Sequence, residues 1–208
     1  MGEPVNIGFE GEKPGLIPDR EWKLKRFKES WQQGETLISG IGQGYVLTTP
    51  IQLSVMLASM VNGGYRIHPS FVKVEKDTRT EDNKIKISNT NLEIVKEGMY
   101  AVVNSPGGTV FGSRFDYKGQ KMAGKTGTTQ VRRITMKERQ TGILKEHELP
   151  WHLRNHALFV GYAPHDNPRY GVVVLVEHGG GGSSVAAPIA RKILLDAVKL
   201  DPLGQENK

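Results

Sequence analysis

Residues 119–130, GQKMAGKTGTTQ, constrain the fold more than any other segment, because they match two motifs that need different backbone conformations. The first eight residues fit the phosphate-loop pattern G-x-x-x-x-G-K-[ST], in which a buried parallel strand leads through a glycine turn into a helix. Lys125, Thr126 and Gly127 also fit a K-T-G motif of serine-based acyl transfer. If this motif lies on a strand, the local fold is a sheet with no phosphate-binding helix.

The flanking residues favour the strand. SRFDYK, before Gly119, is too polar for a buried parallel strand, and TGTTQVRRIT, after Lys125, combines glycine, threonine and valine, which disfavour helix. The segment VVVLVE, ending at Glu177, could supply a magnesium-binding acid, but it follows a hairpin turn. A nucleotide hydrolase therefore remains only as the less favoured alternative.

Composition narrows the class of protein. The chain has 208 residues, 37% hydrophobic and 24% charged, which is typical of a globular protein with a modest core. Cysteine is absent, so disulfides and thiol catalysis are excluded, and no apolar run approaches the ~20 residues of a membrane span. The polar, glycine-rich start predicts neither a signal peptide nor an anchor.

A net charge of +6 permits an anionic partner. No nucleic-acid motif is present, so we predict an exposed helical face for the basic cluster at Arg20, Lys23, Lys25, Arg26 and Lys28.

The first half of the chain is predicted to be mainly helical. Residues 1–20 are irregular, and residues 19–31 are predicted to form a short helix with apolar contacts from Trp22, Phe27 and Trp31. Residues 34–50 predict a tight loop, followed by a helix that Thr48 or Thr49 caps, with Pro50 in its first turn and Gly63 after its end. We predict a strand at residues 68–76, a hairpin tip at residues 77–84 and a helix over residues 89–104 with an Asn or Thr cap.

The second half is predicted to be mainly β. Residues 121–131 form a strand, and two apolar runs at 155–164 and 169–178 form an antiparallel hairpin. A last helix at residues 185–199 is predicted to begin with a cap at Ser183 or Ser184. Helices, then about three strands, then a closing helix make an α+β fold, with an antiparallel sheet, flanking helices and the C-terminal helix packed on the sheet.

The chemistry of the motif follows from the period of a strand. Thr126 and Thr128 face the same way, so their hydroxyls can hold a carboxylate, and Lys125 adds positive charge nearby. Gly127 has no side chain, so a ligand backbone can lie close to the strand at this position. The backbone N–H of Thr128 is then predicted to donate to an oxyanion.

Three segments, residues 40–72, 105–131 and 154–182, resemble the transpeptidase domain of class B penicillin-binding proteins of the elongation type. The resemblance implies a peptidoglycan D,D-transpeptidase that acts on the D-alanyl-D-alanine end of a stem peptide and is trapped by β-lactams. It implies that Lys125, Thr126, Gly127 and Thr128 form the third motif, and that the substrate-binding region includes Gly42, Gln43, Gly44 and Thr129. It implies no cofactor, partners from the wall-elongation complex, and a periplasmic location at the inner membrane.

The family's other two motifs are not matched by this sequence. No S-x-N triplet occurs, and the single S-x-x-K match, from Ser70 to Lys73, follows Pro69 in a strand-like context and lies after the G-Q-G segment. We therefore predict no nucleophile in this chain. We interpret residues 1–208 as the C-terminal portion of one transpeptidase domain: an irregular lead-in (1–20), a mainly helical part (21–110), and strands with a closing helix (118–200). Such a chain should be inactive without the N-terminal portion, and a non-catalytic, partner-dependent remnant is the alternative.

Two further expectations concern the strands and the histidines. In the family's five-stranded sheet the last strand pairs with an upstream strand, so GVVVLVE is predicted to form an exposed apolar edge that favours self-association. His147, His152 and His156 come near the H-E-x-x-H pattern, but Trp151 occupies a position that the pattern needs and Pro150 breaks the helix. We therefore predict no metal site.

Overall fold

The computed structural model describes residues 2–72, 80–132 and 134–201. It confirms an α+β fold in which an antiparallel sheet lies among helices. The helices are α1 (Arg20–Phe27), α2 (Gln33–Gly40), α3 (Pro50–Val61), α4 (Asn89–Asn104), α5 (Met136–Thr141) and α6 (Ala187–Leu200). The strands are β1 (Asp116–Tyr117), β2 (Gln120–Lys121), β3 (Ala123–Thr129), β4 (His156–Ala163) and β5 (Tyr170–Val176).

The central sheet has the order β3-β4-β5, and all its neighbours are antiparallel. In the register, Gly127 lies opposite Leu158 and Val160 lies opposite Val173. Residues 123–129 are therefore a strand, and the helix that a phosphate loop requires after Lys125 does not form. The predicted hairpin of β4 and β5 is also confirmed.

Each face of the sheet is covered by helices. On one face, Val160 and Tyr162 of β4 pack in a core cluster with Leu57 of α3 and Met99 of α4. On the other face, Phe159 packs in a larger cluster whose α6 members are Ala187, Ala190, Leu194 and Val198. The alternation of side chains along β4 produces this division, because successive residues point to opposite faces.

The start of α3 is as the sequence predicts. Thr49 is the N-cap, and its hydroxyl oxygen accepts a hydrogen bond from the Gln52 N–H at 3.3 Å. The Gln52 side chain accepts from the Thr49 N–H at 2.9 Å and donates to the carbonyls of Glu3 and Pro14, each at 2.8 Å. The buried Gln52 thus joins α3 to the N-terminal segment.

The prediction of a loop over residues 34–50 is wrong in its first part, because residues 33–40 form α2. The Glu35 carboxylate accepts from the Gln32 N–H at 2.7 Å and forms an ion pair with Lys23 of α1 at 2.6 Å. Lys23 is only 3% exposed, so the prediction of an exposed basic face is wrong at this residue, while the other four basic residues of that cluster are exposed. The ion pair with Lys23 is a tertiary contact, which local sequence does not reveal.

Smaller differences concern caps and short elements. Ser88, and neither Asn nor Thr, caps α4, and α6 follows a π-helical turn at Gly182–Ala186 with no side-chain cap. Trp31 lies beyond the end of α1, and its indole N–H donates to Thr36 at 2.9 Å. Residues 68–72 are not a strand; the rest of that predicted strand and residues 77–79 lie outside the described residues. Residues 81–83 form a 3₁₀ turn, and β1, β2 and α5 were not predicted.

Candidate functional site

The K-T-G motif lies on β3, which is an edge strand of the central sheet. Lys125 and Thr128 are exposed, and Thr126 and Gly127 are half-buried. The Lys125 ammonium donates to the carbonyl of Thr126 at 2.9 Å. The structure thus brings the four predicted third-motif residues together on a strand whose outer edge has no neighbouring strand among the described residues.

The G-Q-G segment lies directly beside this edge. The side-chain amide of Gln43 donates to the carbonyl of Thr128 at 3.2 Å, across 85 residues of sequence. Gly42 and Gly44 have φ values of 72° and 76°, which glycine adopts without strain, and they turn the chain so that Gln43 faces β3. The segment and the third motif, predicted as parts of one site, are therefore neighbours.

The contact with Gln43 also indicates which way the backbone of Thr128 points. Along an antiparallel strand, the N–H and C=O of one residue point to the same side, and this side alternates from residue to residue. Because the Thr128 carbonyl is bonded outside the sheet, the N–H of Thr128 also points away from β4. The N–H and C=O of Thr126 do the same, consistent with the bond from Lys125.

Two glycines let the backbone approach closely around the motif. A Cβ on Gly124 would lie 2.2 Å from Cζ of Phe159 and 2.8 Å from the carbonyl oxygen of Val160. A Cβ on Gly182, in the turn before α6, would lie 2.6 Å from the carbonyl oxygen of Gly127. The Phe159 ring and the turn at Gly182–Ala186 therefore pack against the strand from its α6 face.

An apolar hollow of about 490 Å³ adjoins the motif on the other face of the sheet. Val95 of α4 belongs to its wall and is 44% exposed. The hollow also reaches Lys125, Thr126 and Gly127. Its remaining wall consists of apolar residues and one glycine: Met56, Met60, Gly98, Met99, Val102, Leu158 and Val160.

The connection between β3 and β4 is joined to the end of the site by Asn155. Its side-chain oxygen accepts from the Val131 N–H at 3.3 Å, and its side-chain amide donates to Glu146. The Asn155 N–H also donates to Glu146, at 3.0 Å. Glu146 was not predicted, because it lies in an irregular segment with no pattern that marks it.

The same connection contains a charged helix start. Glu138 accepts hydrogen bonds from the N–H and hydroxyl of Thr135, at 2.8 and 2.9 Å, and pairs with Arg132. These bonds to the ionised form, the backbone bond first, lower the pKa of Glu138 from 4.5 to about 2. The carboxylate is therefore ionised across the neutral range and holds the start of α5.

Within the described ranges, His156, His178 and Ser70 contact groups outside the K-T-G motif. His156 lies opposite Thr129 in the register, and its ring meets that of His178 edge to face, with centroids 4.6 Å apart. The His156 Nδ1 accepts a hydrogen bond from the His178 N–H at 2.9 Å. The Ser70 hydroxyl is bonded to the backbone of Val72 within a bend, and Lys73 lies outside the described residues. In the described part of the chain, no three metal-binding side chains cluster. Within those same ranges, no helix has the length and apolar character of a bilayer span.

The K-T-G-T sequence on an edge strand matches a motif of serine acyl-transfer enzymes that react with β-lactams. The family model described as "Penicillin binding protein transpeptidase domain" matches residues 1–195. The chain belongs to this family.

Two curated relatives show which members of this family the chain resembles. The chain is 39% identical over 207 residues to the peptidoglycan D,D-transpeptidase MrdA of Haemophilus influenzae, covering 93% of this chain and 30% of that protein. It is 36% identical to MrdA of Escherichia coli K12, with 93% and 31% covered. The chain thus spans about a third of the length of these curated relatives.

Solved structures show the same fold. Penicillin-binding protein 2 (PBP2) of Helicobacter pylori, in a complex with MreC, matches with a TM-score of 0.79 and 31% identity, covering 96% of this chain and 34% of that one. PBP2 of Pseudomonas aeruginosa, in complex with WCK 5153, matches with a TM-score of 0.73 and 38% identity, covering 97% and 42%.

Proposed function

We propose that this chain forms the third-motif side of a peptidoglycan D,D-transpeptidase active site, and that another polypeptide segment supplies the serine nucleophile. The observation that carries the proposal is the position of residues 125–128 on the outer edge of the sheet, with Gln43 bonded to Thr128. The relatives named peptidoglycan D,D-transpeptidase support the reaction type.

Each residue of the edge then has a role in acyl transfer. The hydroxyls of Thr126 and Thr128 bind the terminal carboxylate of the stem peptide, and the Lys125 ammonium adds positive charge beside it. The outward N–H of Thr128 donates to the oxyanion that forms when the serine attacks the carbonyl carbon. Gly127 lets the substrate backbone lie close, and Thr129 and the turn at Gly42, Gln43 and Gly44 line the same substrate channel.

The transpeptidase reaction has two steps, acylation of the serine and transfer of the acyl group to an amine. The serine oxygen bonds to the carbonyl carbon of the penultimate D-alanine, and the terminal D-alanine leaves with the proton from the serine. An amine of a second stem peptide then attacks the acyl-enzyme, which releases the serine and completes the cross-link. A β-lactam carbonyl acylates the same serine.

The apolar hollow beside Lys125 is where the missing segment would pack. Its walls are mostly aliphatic side chains and methionines, and its place next to the motif suits a helix with one apolar face. Burying such a helix would cover Val95 and hold the nucleophile at the edge of β3. On this basis residues 1–208 are the C-terminal portion of one transpeptidase domain.

Labelling with a fluorescent penicillin tests this proposal. The chain alone should not be labelled; co-expressed with the preceding transpeptidase segment of a close relative, the pair should be labelled on that segment. Lys125→Ala in this chain should reduce labelling by at least about tenfold, since it removes a charge from the site. Lys86→Ala, an exposed lysine distant in sequence from the motif, is the matched control. Labelling of this chain by itself, or equal labelling with both variants, would contradict the proposal.

A second candidate function is a non-catalytic remnant that folds with a partner. The sequence lacks S-x-N, and the only S-x-x-K serine is bonded within a bend, which favours this alternative. It predicts a stable co-expressed pair that fluorescent penicillin never labels. The PBP2–MreC complex of H. pylori suggests wall-elongation proteins as partners, and the family suggests a periplasmic location; for this chain both are proposals.

A further inference from the structure

A second concave surface lies away from the K-T-G motif, between α6, the end of α4 and the hairpin of β1 and β2. It has a volume of about 700 Å³, within the range of small-molecule sites. Four of its lining side chains are basic and one is acidic: Arg114, Lys121, Arg191, Lys199 and Asp116. We refer to it as the basic cavity.

The basic side chains converge from three different elements. Arg191, Leu195 and Lys199 are four residues apart along α6, so they lie on one helix face. Lys121 comes from β2 and Arg114 from the segment before β1. Because this spacing on α6 and the hairpin turn together direct the cations into one concavity, the cavity is more than a solvated helix face.

The positive charge of the cavity is not balanced by the protein. Asp116 is the lining acid, and its carboxylate is 3.8 Å from the Lys121 ammonium, a long ion pair at a half-exposed position. Within the described part of the chain, Arg114, Arg191 and Lys199 form no ion pair with a carboxylate. A concave surface with several cations that lack a carboxylate partner concentrates anions from solution.

Other contacts preorganise these cations. The Arg191 Nε donates to the carbonyl of Arg114 at 3.3 Å, which orients the guanidinium without neutralising it. The guanidinium of Arg114 stacks on the Phe111 ring, 3.7 Å from its centroid. A hydrogen bond with the Tyr100 hydroxyl raises the pKa of Lys121, so that this lysine stays protonated. Fixed cations lose less conformational entropy when they bind an anion.

We propose that the basic cavity binds a phosphorylated ligand that carries at least two phosphate charges. Two guanidinium forks and two ammonium groups match a compact ligand such as a diphosphate, because arginine binds phosphate oxygens in pairs. An extended acidic peptide fits less well, since among the described residues the lining is mainly charged and aromatic and offers Leu195 as its aliphatic contact. The ligand could be free in solution or be the headgroup of a lipid, and the chemistry of recognition is the same.

Calorimetric titration of the 208-residue chain with inorganic pyrophosphate tests the site. Binding should be saturable and should weaken as salt is raised from about 50 to about 200 mM. Arg191→Gln and, separately, Lys199→Gln should each weaken it about tenfold, the loss of one charge-assisted contact. Lys192→Gln removes the same charge from an exposed position on α6 outside the cavity, and should leave binding unchanged.

Further arms separate the possible ligands. Vesicles containing phosphatidic acid test whether the ligand is a lipid headgroup. The proposal is supported if the chain binds pyrophosphate or the vesicles, and if Arg191→Gln weakens that binding while Lys192→Gln does not. The ligand that binds identifies the source. Tighter binding of a tri-glutamate peptide than of pyrophosphate would overturn it. Equal affinities for all three variants, or no binding either to millimolar pyrophosphate or to the vesicles, would also overturn it. Circular dichroism checks that each variant is folded. Lys199→Gln is expected to disturb the fold least, because Lys199 is exposed and, among the described residues, contacts the Tyr117 ring at a distance of 5.9 Å.

Discussion

The two edges of the central sheet differ in chemistry. The edge at β3 carries Lys125 and three threonines, and Gln43 already bonds to one of its carbonyls. The edge at β5 has the sequence YGVVVLV, with Leu175 41% exposed and no charged side chain. A polar edge can bind a ligand that brings its own charge and hydrogen-bonding groups, whereas an apolar edge is satisfied only by another strand.

Packing follows the same division. β5 lies between α3 and α6, so its residues are apolar on both faces, as in an interior strand. β3 contacts α4 on one face and the turn at Gly182–Ala186 on the other, and its outer edge faces the G-Q-G turn. β3 thus has the side chains of an edge strand, and β5 has the apolar faces that are typical of a central strand. Four experiments test this difference, beginning with the largest expected effect.

Gly124→Ala should disrupt the packing of β3. The new Cβ would overlap Cζ of Phe159 at 2.2 Å, so the strand or the ring has to move. We expect the free energy of unfolding to fall by about 3 kcal/mol, as measured by urea denaturation. Gly107→Ala, where no atom lies within 4 Å of the new Cβ, is the control and should change it by less than about 1 kcal/mol. Equal midpoints for the two variants would show that β3 tolerates a side chain here.

Leu175→Lys tests whether the apolar edge at β5 causes self-association. The isolated chain is expected to self-associate through this edge, and a lysine on an edge strand opposes strand pairing. Sedimentation velocity should show association weakened about tenfold, which corresponds to about 1.4 kcal/mol. Ile94→Lys, on α4 and 64% exposed, makes the same chemical change away from the edge. A chain that is monomeric before any substitution would remove the basis of this prediction.

Gln43→Ala tests the contact between the G-Q-G turn and the edge at β3. Loss of the bond to the Thr128 carbonyl should cost about 1 kcal/mol and speed amide exchange at Gly42 and Gln43 about fivefold. Gln33→Ala, an exposed glutamine at the start of α2, should leave these amides unaffected. Unchanged exchange in both variants would mean that the turn is held without Gln43.

The smallest expected effect concerns pH. The pKa of Glu138 is lowered to about 2 in the fold, so its contribution to α5 is complete above its ordinary value of 4.5 and is lost as pH falls towards 2. The protection of the amides of residues 138–142, taken relative to their intrinsic exchange rates at the same pH, should therefore fall over this range. Glu138→Gln should show this lower protection already at neutral pH and a flatter response to acid. Residues 172–175 of β5 contain no carboxylate, so their amide protection should fall less than that of residues 138–142 over this window.

Local patterns predicted the elements that have strong local signals. Thr49 and Pro50 predicted the start of α3, and the two apolar runs at residues 155–164 and 169–178 predicted the hairpin of β4 and β5. The threonines and glycines after Lys125 predicted β3 correctly against the phosphate-loop match. Each of these signals acts through caps, turn residues or side-chain period, which depend on neighbours in sequence.

The wrong or missing predictions depend on distant contacts. α2 is stabilised by the ion pair between Lys23 and Glu35. The prediction of a tight loop over residues 34–50 used local sequence only and could not include Lys23. The apolar hollow, the bridge from Asn155 to Glu146 and the basic cavity each join segments that no sequence pattern connects. Such contacts form only when the chain has folded.

The amino-acid sequence thus determined that Lys125, Thr126 and Thr128 lie on an extended strand, because glycine and β-branched residues disfavour helix and side chains alternate along a strand. Tertiary structure alone decided that this strand is an open edge next to Gln43, that Lys23 is buried, and that the chain leaves a hollow beside the motif. The physical reason is that propensity and period act over a few residues, whereas burial and long-range hydrogen bonds require segments as much as 85 residues apart to meet.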